Sequence, residues 1–396
     1  MQRCGFIYRL CFVKVEKLLA LLPEDILETL ALETKVDRYS KKLQGEVIFK
    51  LLLHSLLTHK GSSLRTMESA YESLVFQALN ATYGRGRIHY SSISERLKNI
   101  NALYFEKLYQ HAVTAYKDGG GEKPLSLVRF DSTIVTLSSK LLEVGFQLNG
   151  SCEGIRQVKF SIGYAEIPET VKLFHTNQYT SENAALKEAI LDYEDRRLCL
   201  SVFDRGVTSR GVHDQLTEGG VRFISRIGVG AKHKMESDNL LDSPVATKTL
   251  EISEDHWVRL YGAKHKLAGH GVRLIKAVNK KGEALWFITN VKELLAGEVT
   301  ELYKRRWEIE VFFKFLKQHL NFSHFINRSE NGIKVTLYTT LIAAVLLAAY
   351  KRMNGLKGFK LVKQKMVQDL ERELIKSMLV WSKNNPDLFH QLINSS

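Results

Sequence analysis

Four residues late in the chain have the types and spacing of a reactive set. Tyr303, Arg306, Glu310 and Lys317 fall at i, i+3, i+7 and i+14. On one continuous helix, at about 100° per residue, they share an arc about 60° wide. Leu302, Ile309, Phe313, Leu316 and Leu320 form an apolar stripe beside that arc. Such a helix packs on a core while presenting one acid among two cations and a phenol. A lone carboxylate in that company suits a group that binds a metal and faces phosphate oxygens. The plain alternative is a row of surface ion pairs. Two aspartates occupy a second kind of position. Asp131 follows the apolar run Leu127-Val128-Arg129-Phe130, and Asp204 follows Leu200-Ser201-Val202-Phe203. A carboxylate at the end of a buried strand is costly unless it is paired or bound to a cation. Each is followed by a small or flexible residue, Ser132 and Gly206, so these aspartates suit either a site shared by the two strand ends or separate turn or cap roles.

With those residues in place, the chain resembles bacterial insertion-sequence transposases of the DDE class that carry a Tyr-Arg-Glu-Lys signature. Tyr303, Arg306, Glu310 and Lys317 fit the pattern Y-x2-R-x3-E-x6-K, and Asp131-Ser132-Thr133 and Asp204-Arg205-Gly206 resemble the other two blocks. The resemblance implies an α/β fold: a ribonuclease-H-like catalytic core interrupted by a β-rich insertion, with helical N-terminal and C-terminal regions. It implies that Asp131, Asp204 and Glu310 are catalytic and bind two Mg²⁺ ions, with Mn²⁺ as a substitute. Asp131 is assigned as the bridging ligand, with Asp204 and Glu310 each completing one ion. Arg306 and Lys317 are expected to hold DNA phosphates and Tyr303 to hydrogen-bond another.

The implied partners are double-stranded DNA, both the terminal inverted repeats of the element and its target, and a second copy of the chain. That homodimer would bridge two DNA ends in a synaptic complex, in the bacterial cytoplasm at the nucleoid. Movement of this kind often passes through a DNA hairpin, in which a base leaves the stack and an aromatic receives it. Trp257, beside a basic stretch, is the candidate, whereas Trp286 in Leu285-Trp286-Phe287-Ile288 reads as core. The family often has an aromatic after Asp-Arg-Gly, where this chain has Val207. Two other readings share the motif: a metal-dependent nuclease that cuts without joining, and an inactive DNA-binding derivative. No G-x-x-x-x-G-K-[ST] occurs, which excludes a P-loop nucleotidase.

These residues need a sheet, a helix and something to hold DNA. Leu125 to Leu137, Val158 to Ile167, Val171 to His175 and Leu198 to Phe203 are β-branched or aromatic runs of strand length. Pro168-Glu169-Thr170 is expected to join the middle pair as a hairpin, and Ser181 to cap a helix from Glu182 to about Tyr193. Further strands are expected at Val221–Ile227, Thr247–Ile252, Trp257–Leu260, Val272–Val278 and Leu285–Thr289. Before the sheet, Leu18 to Leu32 with Pro23 and Glu46 to Leu57 read as helices. Ser92-Ile93-Ser94-Glu95 reads as a capping box opening a helix towards Tyr116. Arg85, Arg87, Arg96 and Lys98 around it suit either a DNA-binding module or a solvated basic face. The flexible turn from Asp118 to Pro124 marks a boundary. The expected organisation is 1–124, a helical DNA-binding region; 125–330, the catalytic domain with its insertion at about 221–295; and 331–396, a helical C-terminal region.

Composition agrees with this organisation. The chain has 396 residues and a net charge of +14, with 44% hydrophobic and 25% charged residues, which excludes a largely disordered protein. The positive surplus suits a polyanion. Seven cations and no acid lie between Arg259 and Lys281, and a second acid-free basic run spans Lys351 to Lys365. The cysteines Cys4, Cys11, Cys152 and Cys199 include no C-x-x-C pair, which fits a reduced intracellular protein without structural zinc. Charges interrupt the apolar residues at the start of the chain, which is read as mature sequence rather than signal peptide. The sixteen uncharged residues from Val335 to Tyr350 read as a buried helix rather than a membrane span, which needs about 20.

Overall fold

The computed structural model describes residues 18, 20–58, 61, 63–73, 76, 87–119, 126–137, 145–147, 156–322, 325–327, 329–384 and 386. Cys4, Cys11, Cys152, Arg85 and most of the turn before Pro124 lie outside the described residues. The chain divides into two compact units, one formed by Glu122–Phe313 and the other by Met1–Gly121 with Lys314–Ser396. The helical stretches expected as two separate regions therefore fall in one unit, and the division comes at 313 rather than 330.

In the helical unit, α1 (Glu24–Thr34) begins directly after Pro23, where a missing N–H costs nothing. Next come α2 (Gly45–Thr58) and α3 (Leu64–Glu72), the latter capped by reciprocal bonds between Ser63 and Thr66. The single helix expected from Ser92 to Tyr116 is two, α4 (Tyr90–Asn99) and α5 (Leu103–Asp118). His89 rather than Ser92 caps the first. Between them Ile100 turns extended, and the Asn101 side chain accepts from the Leu103 N–H at 3.1 Å. Arg96, expected in either a DNA-binding module or a solvated basic face, donates to the carbonyls of Leu43 and Val36 at 2.7 and 2.6 Å.

The apolar stretch before Tyr350 extends to α10 (Glu330–Asn354), followed by α11 (Phe359–Asn384). At 25 residues α10 is long enough to cross a membrane, yet 89% of its most apolar eighteen residues is buried within the protein. Thr336, Thr339 and Thr340 each donate to the carbonyl four residues earlier, at 2.8 Å, which satisfies hydroxyls that would otherwise be buried unpaired. The helix packs on α2, α4, α5 and α11 as a core element.

In the other unit, eleven strands among the described residues form one sheet. Strand β1 (Ser126–Leu137) runs antiparallel to β3 (Arg156–Tyr164), and β3 antiparallel to β4 (Pro168–Phe174). On its other side β1 is parallel to β5 (Cys199–Phe203), which is parallel to β6 (Arg222–Ile227). The two-residue β2 (Phe146–Gln147) pairs with β3. The hairpin turn falls at Ala165–Ile167, closed by an N–H···O bond of 3.0 Å, and Pro168 already pairs with Tyr164 as the first residue of β4. Helix α6 (Glu182–Leu191), capped by Ser181, precedes β5, and α7 (Arg210–Glu218) connects β5 to β6. All five residues of β5 are buried, as expected for a parallel strand covered on both faces. One face packs Val128, Phe130 and Phe203 on Leu186, Ile190 and Leu216; the other packs Leu127, Val202 and Ile224 on Val299 and Tyr303.

The β-rich insertion extends this same sheet. Beyond β6 come β11 (Ala284–Thr289), β10 (Val272–Asn279), β9 (Leu250–Leu260) and β7 (His233–Met235), with β8 (Val245–Ala246) paired to β9. The two strands expected at 247–252 and 257–260 are one, because the polar residues between them find partners on β10. Asp255 pairs with buried Arg273, and Glu254 with Lys276 at 2.7 Å.

Candidate active site

The parallel pairing of β1 with β5 runs from Ser126↔Cys199 to Phe130↔Phe203. Asp131, next on β1, and Asp204, just past the end of β5, both follow the last pair of that register. Asp131 was expected at a strand end. It lies within β1, which continues against β3 to Leu137; what ends before it is the pairing with β5. Its Oδ1 accepts from the Ser132 N–H at 2.8 Å. Burial raises its pKa, the nearby charges of Glu182 and Glu310 add to that, and it is pushed up to about 6 despite the opposing Ser132 N–H and Arg306.

The helix expected from Glu301 to Leu320 is broken into α8 (Ala296–Lys304) and α9 (Trp307–His319). Around the joint, Arg305, Arg306 and Ile309 make tight i→i−3 bonds of 2.9–3.2 Å. The Arg305 carbonyl accepts from the side chain of Arg129 at 3.1 Å. The single 60° arc therefore does not hold, yet three of its four residues still meet. Tyr303 is buried in the last turn of α8, and its hydroxyl donates to Asp204 Oδ1 at 3.2 Å. Burial, and then the Asp204 charge, raise the phenol's pKa. Arg306 bonds Glu310 Oε1 at 2.5 Å, and its other terminal nitrogen lies 3.8 Å from Asp131 Oδ2. Burial works against the guanidinium charge, but Glu310, Tyr303 and Asp204 outweigh it and raise the pKa. Arg306 thus pairs with Asp131 and Glu310, and the charge of Asp204 also acts on it.

Among the described residues no three His, Cys, Asp or Glu side chains stand ready to hold a metal ion. The chemistry of the set nevertheless fits one. All three acids are oxygen donors of the kind Mg²⁺ takes, and their negative charge already collects a cation in Arg306.

The remaining expected residues lie elsewhere. Lys317 is exposed in the last turn of α9 and falls in the helical unit. Trp257 is half-buried on β9, with Lys292 Nζ 5.5 Å from its ring centre, and does not join the carboxylates. Trp286 packs against the core, and Val207 is buried in it. Of the seven cations from Arg259 to Lys281, three are neutralised by acids outside that stretch: Arg259 by Glu236, Arg273 by Asp255 and Lys276 by Glu254. Lys264, Lys266, Lys280 and Lys281 stay exposed. In the second basic run, Lys363 donates to the carbonyls of Leu56 and His319, and burial pushes its pKa down to about 8.

Three residues near the set went unread in the sequence. Glu182 opens α6 and is paired with buried Lys159 at 3.1 Å; a lysine inside the apolar run Val158–Ile162 was the available signal. Trp307 is 60% exposed at the start of α9. Arg129 is buried on β1 and donates to the Arg305 carbonyl at the joint.

Residues 123–346 match the family described as Transposase DDE domain. The chain belongs to that family. It is similar to a protein named as a transposase for insertion sequence element IS5377 in Geobacillus stearothermophilus, with 26% identity over 67% of this chain and 68% of that one. Another named for element IS4SA, in Synechocystis, is 44% identical over 56% of this chain and 60% of its own length. A transposase-named protein of Sinorhizobium fredii is 26% identical over 39% of this chain. The matched segment spans 43% of that relative's length. Among solved structures, a piggyBac transposase synaptic complex with hairpin DNA aligns at a TM-score of 0.47 and 12% identity, covering 96% of this chain and 84% of that one.

Proposed function

We propose that this DDE-family chain is the transposase of an insertion sequence, cleaving the element's DNA ends and joining them to a target by phosphoryl transfer. One observation carries the reading: Asp131 and Asp204 both follow the last β1–β5 pair, and Arg306 reaches both Asp131 and Glu310. The strand order β4-β3-β1-β5-β6, three antiparallel strands followed by two parallel ones, supports a ribonuclease-H-like core.

Asp131, Asp204 and Glu310 would hold the divalent ions, Mg²⁺ or Mn²⁺. Bound there, such ions neutralise phosphate charge and activate a water or a 3′-hydroxyl. Tyr303 holds Asp204 through its hydroxyl. Arg306 offers a planar fork suited to a phosphate once its carboxylates are neutralised otherwise. Lys317 supplies a second phosphate contact, and Trp257 an aromatic face for an unstacked base. The exposed lysines of the insertion and the helical N-terminal region bind the DNA backbone. The partners are terminal-repeat and target DNA and a second copy of the chain, in the cytoplasm.

The test uses terminal-repeat DNA, both intact and pre-cleaved, a supercoiled plasmid and Mg²⁺. Joined product is expected, whereas cutting without joining would make the protein a nuclease. Asp131→Ala, Asp204→Ala and Glu310→Ala should each lower cleavage on the order of 10³-fold or more while DNA binding persists. Unchanged cleavage in any one removes that residue from the site.

A further inference from the structure

Arg129 has no part in the mechanism above, yet it is only 1% exposed. Burying a guanidinium is costly unless its donors are satisfied, and here they reach into three elements. One terminal nitrogen donates to the carbonyls of Ala165, in the β3–β4 turn, and Leu127, on its own strand, at 2.7 and 3.1 Å. Nε donates to the Arg305 carbonyl at 3.1 Å, and the other terminal nitrogen pairs with Glu308 at 2.5 Å. Arg305 and Glu308 flank Arg306, so the guanidinium grips the α8–α9 joint on both sides of it. Two residues along β1, on the same face of the strand, stands Asp131. One helical turn beyond Arg306 stands Glu310.

We propose that Arg129 is the positioning residue of the site, fixing the joint that carries Arg306 and Glu310 against the strand that carries Asp131. The inference rests on the carboxylate site proposed above. If the contact served stability alone, an apolar side chain of similar volume would do as well. What arginine adds is direction: its donors point along fixed angles to groups on separate elements. Lysine offers a compact charge on a flexible stem and cannot hold the same groups at once. Glu308, itself 46% exposed, is drawn to the strand by this pairing and brings the first turn of α9 with it.

The full chain tests this with Arg129→Lys, Arg129→Met and Glu308→Gln, read by steady-state cleavage of terminal-repeat DNA, thermal melting, and Mn²⁺ affinity by electron paramagnetic resonance without DNA. For Arg129→Lys, kcat is expected to fall about 10- to 100-fold, the scale of a misplacement near 1 Å. KM for DNA should stay within about twofold, and Mn²⁺ binding should weaken. Glu308→Gln should shift kcat the same way by a smaller factor, with melting unchanged. A folded Arg129→Lys with wild-type kcat and Mn²⁺ affinity overturns the proposal. So does a kcat loss that disappears on cooling to where the variant is fully folded. Should neither Arg129 variant fold, Glu308→Gln decides, and wild-type kcat there rejects the role. Failure of the site itself looks different, because Asp131→Ala would then cleave as well as wild type.

Discussion

Two arginines are buried in the same sheet, one in the central strands and one in the insertion, and they are buried in different ways. Arg273 lies on β10 and pairs with Asp255 on the neighbouring β9, 5% and 1% exposed respectively. Its remaining donors close on the carbonyls of Val291, Lys292 and Leu294, where the chain leaves β11. The pair is closed on itself and staples the insertion to its exit. Arg129 pairs with a half-exposed acid on a helix and bonds the backbone of a helix joint. The first arrangement holds a sheet together; the second transmits the position of a strand to a helix that carries reactive side chains. Arg273, whose acid is also buried, serves architecture, whereas Arg129, whose acid stands half-exposed on the helix that carries Glu310, serves alignment.

The comparison can be broken by measurement, starting with its largest expected effect. Arg273→Met leaves the Asp255 charge buried and unpaired and should cost about 3–5 kcal/mol in urea unfolding. Cleavage per folded molecule should stay near wild type, and a specific loss of kcat would erase the distinction from Arg129. Asp131→Asn should move the other way. The folded protein holds the Asp131 proton more tightly than the unfolded chain, with a pKa of about 6 against 3.8. Stability is therefore lost as pH rises from about 4 to about 6 and stays lower above that. In metal-free protein Asp131→Asn should exceed wild type by about 1–3 kcal/mol at pH 7 and match it near pH 4. Equal melting of the two proteins at neutral pH would contradict the burial of the Asp131 carboxylate as the cause of its raised pKa. Tyr303→Phe removes one hydrogen bond to Asp204 and should slow cleavage about 3- to 10-fold, measured with DNA affinity as the control. Lys276→Met breaks a partly exposed pair in the insertion and should change stability by less than about 1 kcal/mol.

Much of the site was legible because its residues interrupt strong local patterns. Asp131 and Asp204 each close an apolar run, and the spacing of Tyr303, Arg306 and Glu310 survives in their meeting even though the helix does not. The break at Arg305 was not legible, because the side chain that bonds its carbonyl sits on a strand far away in sequence. That Asp131 and Asp204 both follow the last β1–β5 pair is likewise a matter of register, which no local pattern encodes. The basic stretch from Arg259 to Lys281 misled for the same reason. Counting charges in a window misses Glu236, Glu254 and Asp255, which lie outside it and neutralise three of the seven. Helix α7 went unread because Val212 and Leu216 are its only apolar pair at helical spacing and Gly211 weakens the pattern. The core role of α10 was legible from its composition, although the helix is longer than the uncharged run implied.

The hydrogen bond from Arg129 to Arg305 joins residues 176 apart in the chain. At synthesis rates of about 5–20 residues per second, Asp131 leaves the ribosome roughly 10–35 s before the joint that must meet it. From the emergence of Asp204 until then, the growing polypeptide owns two of its acids and lacks the third. A product cut short before the joint, by a stalled ribosome or an early stop codon, carries strands that can still pair and no complete set to act on DNA. The order of the elements along the chain holds back the third carboxylate until the strands that carry or precede the other two have been made.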